Sequence, residues 1–581
     1  MSARSVLVGR GAERAQLEEA LARARDGEGS VLLLGGEAGV GKSRLAAEVA
    51  AASGALVLHG ASRHGGTAPY EPVAGALRSY LRVEPEGLAD CGPLRSHLAL
   101  LLPELGDPPQ AADRATLFEA VRCALARVAE ERHVVVILDD LEWSDEATLE
   151  LLGALAEPVT ELAMLVIAVY RSDGLPRDHG LRRLRHELRR AGRLRELTVP
   201  PLDEADTGEL LAAVLGAAPS RSLTRTIHDR TQGVPFFVEE LARALRLSGS
   251  LTAGADGLDA GGDGEVPLPE TVRDAVAIGA AELSEAARAA AEVAAVAGER
   301  FDPEIVARRA GDDGLSELLD RGVLREEATG EAVFRHALTR QALYADVPWI
   351  RRRMLHRELA RALAAAGAPR REVATHWLGA RDTERAREAL LEAAAESEGM
   401  RAYRDAAQAG RRALELWPVA GDDERRGDAL ARYARCCEPA GELAEAARAW
   451  RELADLSAAL GHERAMADAQ RRLAAVAELR GDREAAFGAR RIAAEAYERT
   501  GCPAEAAVER LAMANQLRIA ARHADAMELA EQARLQAERA ERVDLRARAV
   551  GLEGLARAKH GDYQRGLQTV RSRSRSRSST A

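Results

Sequence analysis

Eight consecutive residues, Gly36-Glu37-Ala38-Gly39-Val40-Gly41-Lys42-Ser43, restrict the fold of this chain more than any other stretch. They fit the phosphate-binding loop G-x-x-x-x-G-K-[ST] at every fixed position. The apolar run Val31-Leu32-Leu33-Leu34 precedes them, and the helical pattern Arg44-Leu45-Ala46-Ala47-Glu48-Val49 follows. Strand, loop and helix in that order are the context the chemistry needs. The glycines let backbone N–H groups turn inward around α- and β-phosphates, at a helix N-terminus that already favours anions. Lys42 reaches for the β- and γ-phosphates, and the Ser43 hydroxyl completes a Mg²⁺ shell. Gly36, Gly39, Val40, Gly41, Lys42, Ser43 and Arg44 are therefore the expected binding residues for ATP or GTP.

A second strand signal, Val134-Val135-Val136-Ile137-Leu138, ends in Asp139-Asp140. An unbroken β-branched run suits a central parallel strand covered on both faces. Its C-terminal end lies where ligands of open α/β sheets bind. Asp139 is expected to hold Mg²⁺, and Asp140 to orient or deprotonate the attacking water. A third run, Met164 to Tyr170, ends at Arg171, placed to contact a γ-phosphate. The stretch from Arg182 to Arg195 carries seven arginines among leucines. It reads as a solvated helix face, with a phosphate or nucleic-acid contact as the alternative.

A chain of 581 residues exceeds one core, and about three to five domains is the natural expectation. Aromatic residues are only 3% while Ala, Arg, Leu and Glu dominate, so helices should outnumber strands. The net charge of −11 argues against a chain that coats nucleic acid over its whole surface. Five scattered cysteines without a C-x-x-C pair fit reduced thiols. The N-terminus lacks a signal peptide's apolar segment, and no run approaches the ~20 apolar residues of a membrane span. A cytoplasmic location is expected, with no membrane partner.

Between Gly249 and Gly264, six glycines with Asp, Ser and Thr read as a flexible linker. Beyond it, Gly314 to Leu324 reads as a helix turning into a short strand, and Ala332 to His336 as a returning strand. Helix plus small hairpin outlines a winged helix. Ser284 is an N-cap candidate that lacks the Glu or Gln of a capping box, since Ala287 stands three residues on. From about residue 356 the pattern is helical with short breaks. Segments beginning at Arg401, Gly441, Gly481, Ala521 and Gly561 place Ala406, Ala446, Ala486, Ala526 and Gly566 at one offset. Offset eight gives Ala409, Ala449, Ala489 and Leu529. A 40-residue period split into two helices is a helical hairpin repeat, whose small residues let paired helices approach.

Val8-Gly9-Arg10 with Glu13, the phosphate loop, Leu138 to Asp145 and Arg171 appear in an order that resembles the signal-transduction ATPases with numerous domains (STAND), a branch of the AAA-like P-loop proteins. Pro200-Pro201-Leu202 and Gly233-Val234-Pro235-Phe236-Phe237-Val238-Glu239-Glu240 continue the resemblance. It implies a multidomain chain: an α/β P-loop NTPase core at 1–200, a helical lid at 201–248, a flexible linker at 249–266, a winged-helix-like domain at 267–355, and an all-α tetratricopeptide-like solenoid at 356–570. It also implies Pro235 against the adenine, Arg10 near the base or ribose, and His336 as a sensor of the ADP state. The ligands implied are ATP/ADP with Mg²⁺, and slow hydrolysis would reset a signalling switch. The repeats would carry a small-molecule inducer or protein partner, and the ATP state would form a homo-oligomer.

Large LuxR-type transcriptional regulators share this layout but end in a DNA-binding helix-turn-helix. No basic recognition helix is evident after residue 356, so DNA binding is expected only through a domain not evident here. The last residues, 571–581, alternate Arg and Ser where the next repeat should continue. They read as a frameshift, with an RNA-binding or phosphorylated tail as the alternative. Two other functions stay open: a scaffold whose nucleotide is merely structural, and a remodelling AAA machine.

Overall fold

The computed structural model describes residues 7–63, 68–109, 113–172, 175–247, 251–254, 257–260, 283–327, 330–335, 337–418 and 423–568. The chain divides into two units, Met1–Asp405 and Ala406–Ala581.

The apolar runs of the first unit become parallel strands. These are β1 (Ser30–Gly35), β2 (Leu56–Ala61), β3 (Val134–Asp139), β4 (Met164–Val169) and β5 (Arg195–Thr198), in the order β2-β3-β4-β1-β5. Every residue of β1, β3 and β4 is buried. Alternate side chains enter opposite cores, as a two-residue period demands. Leu33, Val136 and Val166 face one core; Leu34, Ile137 and Ile167 face the other. Helices on both faces cover the sheet, so the C-terminal edges of β1, β3 and β4 are left to build a site. The basic stretch becomes the helix Gly180–Arg190, which buries Leu181, Leu184 and Leu188. Its arginines are largely matched within the domain: Arg183 pairs with Glu146, and Arg185 with Glu196 at 2.7 Å.

Three helices follow, Glu204–Leu215, Arg221–Thr231 and Pro235–Leu247, packed around Leu211, Ile227 and Val238 with Val8 from the N-terminal segment. Within the stretch read as a flexible linker, the described residues form a hairpin, β6 (Leu251–Gly254) against β7 (Gly257–Ala260). The hairpin is anchored: the Ser220 N–H donates to the Leu258 carbonyl at 2.7 Å, and the Leu258 N–H to that of Ala218 at 2.8 Å. Glycine richness here serves a tight turn, Gly257 having φ of 123°.

The winged-helix outline is present. Helices Glu285–Ala297, Pro303–Ala310 and Asp312–Asp320 accompany a sheet of β8 (Arg300–Phe301), β10 (Ala332–Phe334) and β9 (Leu324–Glu326), antiparallel throughout. Ser284 caps the first helix, its hydroxyl accepting from the Ala287 N–H at 3.0 Å. The missing capping-box carboxylate is supplied by another helix, since Glu317 accepts from the Ser284 N–H at 3.3 Å. Helices Trp349–Ala365 and Arg370–Gly379 then pack together through a buried chain, Tyr344 to His356 to His376, with 3.1 Å at each step. Burial holds the His356 and His376 imidazoles at about 4 and about 3, well below the ordinary value, with nearby Arg340 adding to the effect.

In the second unit the repeat is more regular than its 40-residue reading. Helices Leu443–Ala459, Glu463–Leu479, Arg483–Arg499, Pro503–Ile519, His523–Arg539 and Val543–Lys559 are each 17 residues long. A left-handed residue stands between successive helices at Gly461, Gly481, Gly501, Ala521 and Glu541, so the backbone repeats every 20 residues. The predicted small residues Ala406, Ala446, Ala486 and Ala526 are all buried, as are Ala409, Ala449 and Ala489. Leu529 is only partly buried. The Arg-Ser residues at 571–581 and the predicted sensor His336 lie outside the described residues.

Candidate nucleotide-binding site

The phosphate loop joins β1 to the helix Lys42–Ala52. Gly39 and Gly41 take φ of 82° and 97°, a region that disfavours any Cβ. Gly39 is restricted twice, because a Cβ there would sit 2.9 Å from Cβ of Phe236. Lys42 Nζ donates to the carbonyls of Gly36 (3.0 Å) and Glu37 (2.8 Å), which folds the loop around the ammonium. The Ser43 hydroxyl donates to Asp139 Oδ1 at 2.9 Å, and the Asp140 N–H donates to the same oxygen at 3.0 Å. Residues almost a hundred positions apart thus meet at the ends of two strands. The donor set is oxygen only, hydroxyl plus carboxylate, which fits a hard cation such as Mg²⁺.

Asp140 has φ of 56° and ψ of 40°, left-handed without being glycine. Such a residue costs roughly 1 kcal/mol or more, and outliers of this kind cluster at functional sites. Burial raises its carboxyl well above the usual range. Asp139, Glu299 and Glu142 add to the rise, while Arg171 opposes it. Arg171 itself is held on both sides, with Nε 2.8 Å from Glu142 and Nη2 3.6 Å from Glu299. The Arg171 backbone N–H also donates to Glu142 at 3.1 Å. Burial raises the Glu142 carboxyl too, against the pull of Arg171. Glu299 immediately precedes β8, so the winged-helix-like domain reaches the acidic end of the sheet. Arg300 comes with it: Glu327 binds it at 2.5 Å, and that carboxylate with Asp140 and Asp139 keeps its guanidinium charged despite burial.

The remaining expected residues surround the loop. Arg10 is buried, and its Nη2 donates to the Val40 carbonyl at 3.1 Å, so it braces the loop from below. Burial lowers its pKa against Glu13 and Asp206. Arg44 points away along its own helix to Glu48 at 2.9 Å and toward Glu239 at 4.0 Å. Pro235 opens the helix Pro235–Leu247, and the next N–H, of Phe236, donates to the Gly39 carbonyl at 3.3 Å. That contact fastens the Gly-Val-Pro-Phe segment to the loop. Leu338 also reaches Gly39, 3.5 Å from where a Cβ would lie.

Glu142, Glu299, Arg300 and Leu338 were not singled out by sequence. Glu142 stands two residues beyond Asp140, and its charge beside a strand-end Asp-Asp was a readable signal. The other three belong to a separate domain and carry no local mark.

Residues 6–167 match the family model of an AAA ATPase domain. No curated protein matches the sequence. Among solved structures, a STAND protein with a tetratricopeptide repeat sensor from Pyrococcus horikoshii is 12% identical over 98% of this chain and 83% of its own, with a TM-score of 0.40. BtubC from P. vanneervenii is 19% identical over 40% of this chain and 93% of its own, at 0.28. A RuvB variant from Thermotoga maritima is 16% identical over 59% and 96%, at 0.26. Scores this low leave the functional assignment to the geometry of the site.

Proposed function

We propose that this AAA-type ATPase is a signalling switch of the STAND kind, hydrolysing ATP slowly and reading a ligand or partner on its helical repeats. One observation carries the reading. Arg171, expected to act on the γ-phosphate, is paired with Glu299 of the winged-helix-like domain, whose charge also disfavours the ionised form of Asp140. A remodelling machine needs those groups free at every turnover, whereas a switch gains from holding them.

In this reading the backbone N–H groups of Gly39, Gly41 and Lys42 cradle the phosphates, and Lys42 exchanges its loop carbonyls for β- and γ-oxygens. Mg²⁺, held by Ser43 and Asp139, would neutralise charge on the β- and γ-phosphates. Asp140 must lose its proton before it can accept one from water. Burial beside Asp139, Glu299 and Glu142 raises its pKa, so protonation competes with that role to a higher pH than for an ordinary carboxyl. Separating Glu299 from Arg171 would leave Arg171 on Glu142 alone and remove one negative charge facing Asp140. Opening would thus depend on nucleotide and ligand together. Moving such an equilibrium from 1:99 to 99:1 takes about 5.5 kcal/mol of differential binding. Regulation of transcription, as in the LuxR-type regulators the sequence resembles, is the finer proposal. The described residues after 423 are repeat helices, so DNA contact on that proposal comes from a domain or partner beyond them.

The test is nucleotide binding and steady-state ATP turnover of the full chain, with Lys42→Ala as the blank. Binding that vanishes in the variant, with wild-type turnover below about 1 s⁻¹, supports the switch. Fast turnover points instead to a remodelling machine, and unchanged binding in Lys42→Ala removes the site.

A further inference from the structure

A cavity of about 230 Å³ lies away from the phosphate loop, within the first unit. Three segments wall it: Arg63 just beyond β2, the winged-helix-like domain, and the helices Trp349–Ala365 and Arg370–Gly379. Its body is apolar, with Phe301, Ile305, Leu359 and Leu363 facing inward. Its charged part is lopsided, since Asp302, Glu331 and Glu372 line it against the one cation Arg63.

That cation is already engaged. Arg63 lies 3.1 Å from Glu71 and 2.6 Å from Glu331. Asp302 is engaged as well, accepting from the Glu304 N–H to cap its helix. Glu372 is different: its carboxylate makes no hydrogen bond or ion pair among the described residues. Burial raises that carboxyl to about 6; Arg63 opposes the rise, and Glu71 and Glu331 add to it. Arg63, already paired with Glu71 and Glu331, offsets the cost of keeping this carboxylate charged only in part, and a ligand cation would lower that cost further. A bare metal ion would leave the apolar wall unused, and an anion would meet three carboxylates.

We propose that this cavity binds a small organic ammonium, its charge facing Glu372 and Glu331 and its apolar body lying on Phe301, Ile305, Leu359 and Leu363. Because the walls come from three segments, an occupant holds those segments together. This site shares no lining residue with the nucleotide site, and its occupancy does not depend on the switch reading.

The test uses the full chain and 2-phenylethylamine as probe, with 2-phenylethanol and phenylacetate as isosteric controls, followed by calorimetry and thermal melting near pH 8. The amine should bind and raise the melting temperature while both controls do not. Glu372→Gln should weaken the amine about tenfold, as should Leu363→Phe, which fills the apolar end. Equal shifts by amine and alcohol would overturn the proposal. So would undiminished affinity in Glu372→Gln, or no binding by the amine up to about 10 mM.

Discussion

The repeats and the ATPase unit both depend on left-handed residues and buried carboxylates, yet they use them for opposite ends. In the repeats a left-handed turn recurs every 20 residues from Gly461 to Gly561, and each glycine there faces open space. In the ATPase unit some left-handed glycines face open space as well, Gly41 among them, but two at the site are pressed against other segments, Gly39 on Phe236 and Gly233 on the Leu202 carbonyl. Glu509 in the repeats is buried and matched by Arg490 at 2.5 Å. Asp140 is half-buried beside three other carboxylates, with Arg171 the cation that most opposes them. Periodic structure stabilises itself locally, whereas the site concentrates unfavourable charge that only distant segments hold in place.

The carboxylates give the largest test of that contrast. Asp140→Asn should lower ATP turnover by about 10²-fold or more while nucleotide affinity is kept, the usual scale for losing a general base. A carboxyl with a raised pKa keeps its proton where ordinary ones have lost it. Wild-type turnover should therefore climb with pH through one ionisation above the usual carboxylate range, and Asp140→Asn should flatten the climb. Glu509→Gln breaks a structural pair instead. It should lower repeat stability by about 3 kcal/mol, as removing one partner of a buried pair does, and leave turnover per folded molecule unchanged. If Asp140→Asn alters only stability, the two carboxylates do the same work and the contrast fails.

Gly233→Ala comes next. Its φ is 70°, and a Cβ would lie 1.9 Å from the Leu202 carbonyl oxygen, so backbone must move. A loss of about 3 kcal/mol in stability is expected on denaturant unfolding, with weaker nucleotide binding because Phe236 shifts off Gly39. Glu299→Gln should act more gently. Removing that charge lowers the Asp140 pKa, so the climb in turnover moves to lower pH by roughly half to one unit. Turnover at pH 7 should rise only modestly, because Arg171 loses one carboxylate partner while Glu142 still holds it. An unmoved pH profile would mean that Glu299 does not govern Asp140.

What sequence made legible follows the same divide. Val31 to Leu34, Val134 to Leu138 and Met164 to Tyr170 announced β1, β3 and β4 because a strand buried on both faces leaves a continuous apolar run. Ala406, Ala446, Ala486 and Ala526 announced the repeats because close helix packing demands a small residue at one offset. The Ser43–Asp139 meeting was legible because both motifs end strands of one parallel sheet. The Arg171–Glu299 pair was not, since nothing near position 299 marks a partner 128 residues earlier. Within the glycine-rich stretch the described residues form a hairpin docked on Ala218 and Ser220, which composition cannot distinguish from a flexible linker. Arg10 is expected near a base or ribose, and its hydrogen bond to the Val40 carbonyl was not legible in the sequence. That contact depends on how the entry helix meets the loop, a tertiary matter.

The smallest prediction tests whether the repeats are as local as they look. Gly481 has φ of 78° with open space where a Cβ would be. Two turns later Ala521 takes φ of 59° at the equivalent position, and Glu541 takes 54° at the turn after that. The fold therefore tolerates a side chain there and bears only the intrinsic left-handed cost of about 1 kcal/mol. Gly481→Ala should lose roughly 0.5 kcal/mol, since alanine's lower unfolded-state entropy offsets part of that cost, far less than Gly233→Ala at nearly the same φ. Ala521→Gly should gain, but by less than the full amount, because glycine loses more backbone entropy on folding. A net stabilisation of roughly 0.5 kcal/mol is expected in chemical denaturation, with nucleotide binding untouched. If both exchanges are neutral, the turns relax out of the left-handed region. If Gly481→Ala costs as much as Gly233→Ala, the turns are pinned by tertiary contacts and the repeats are not local at all.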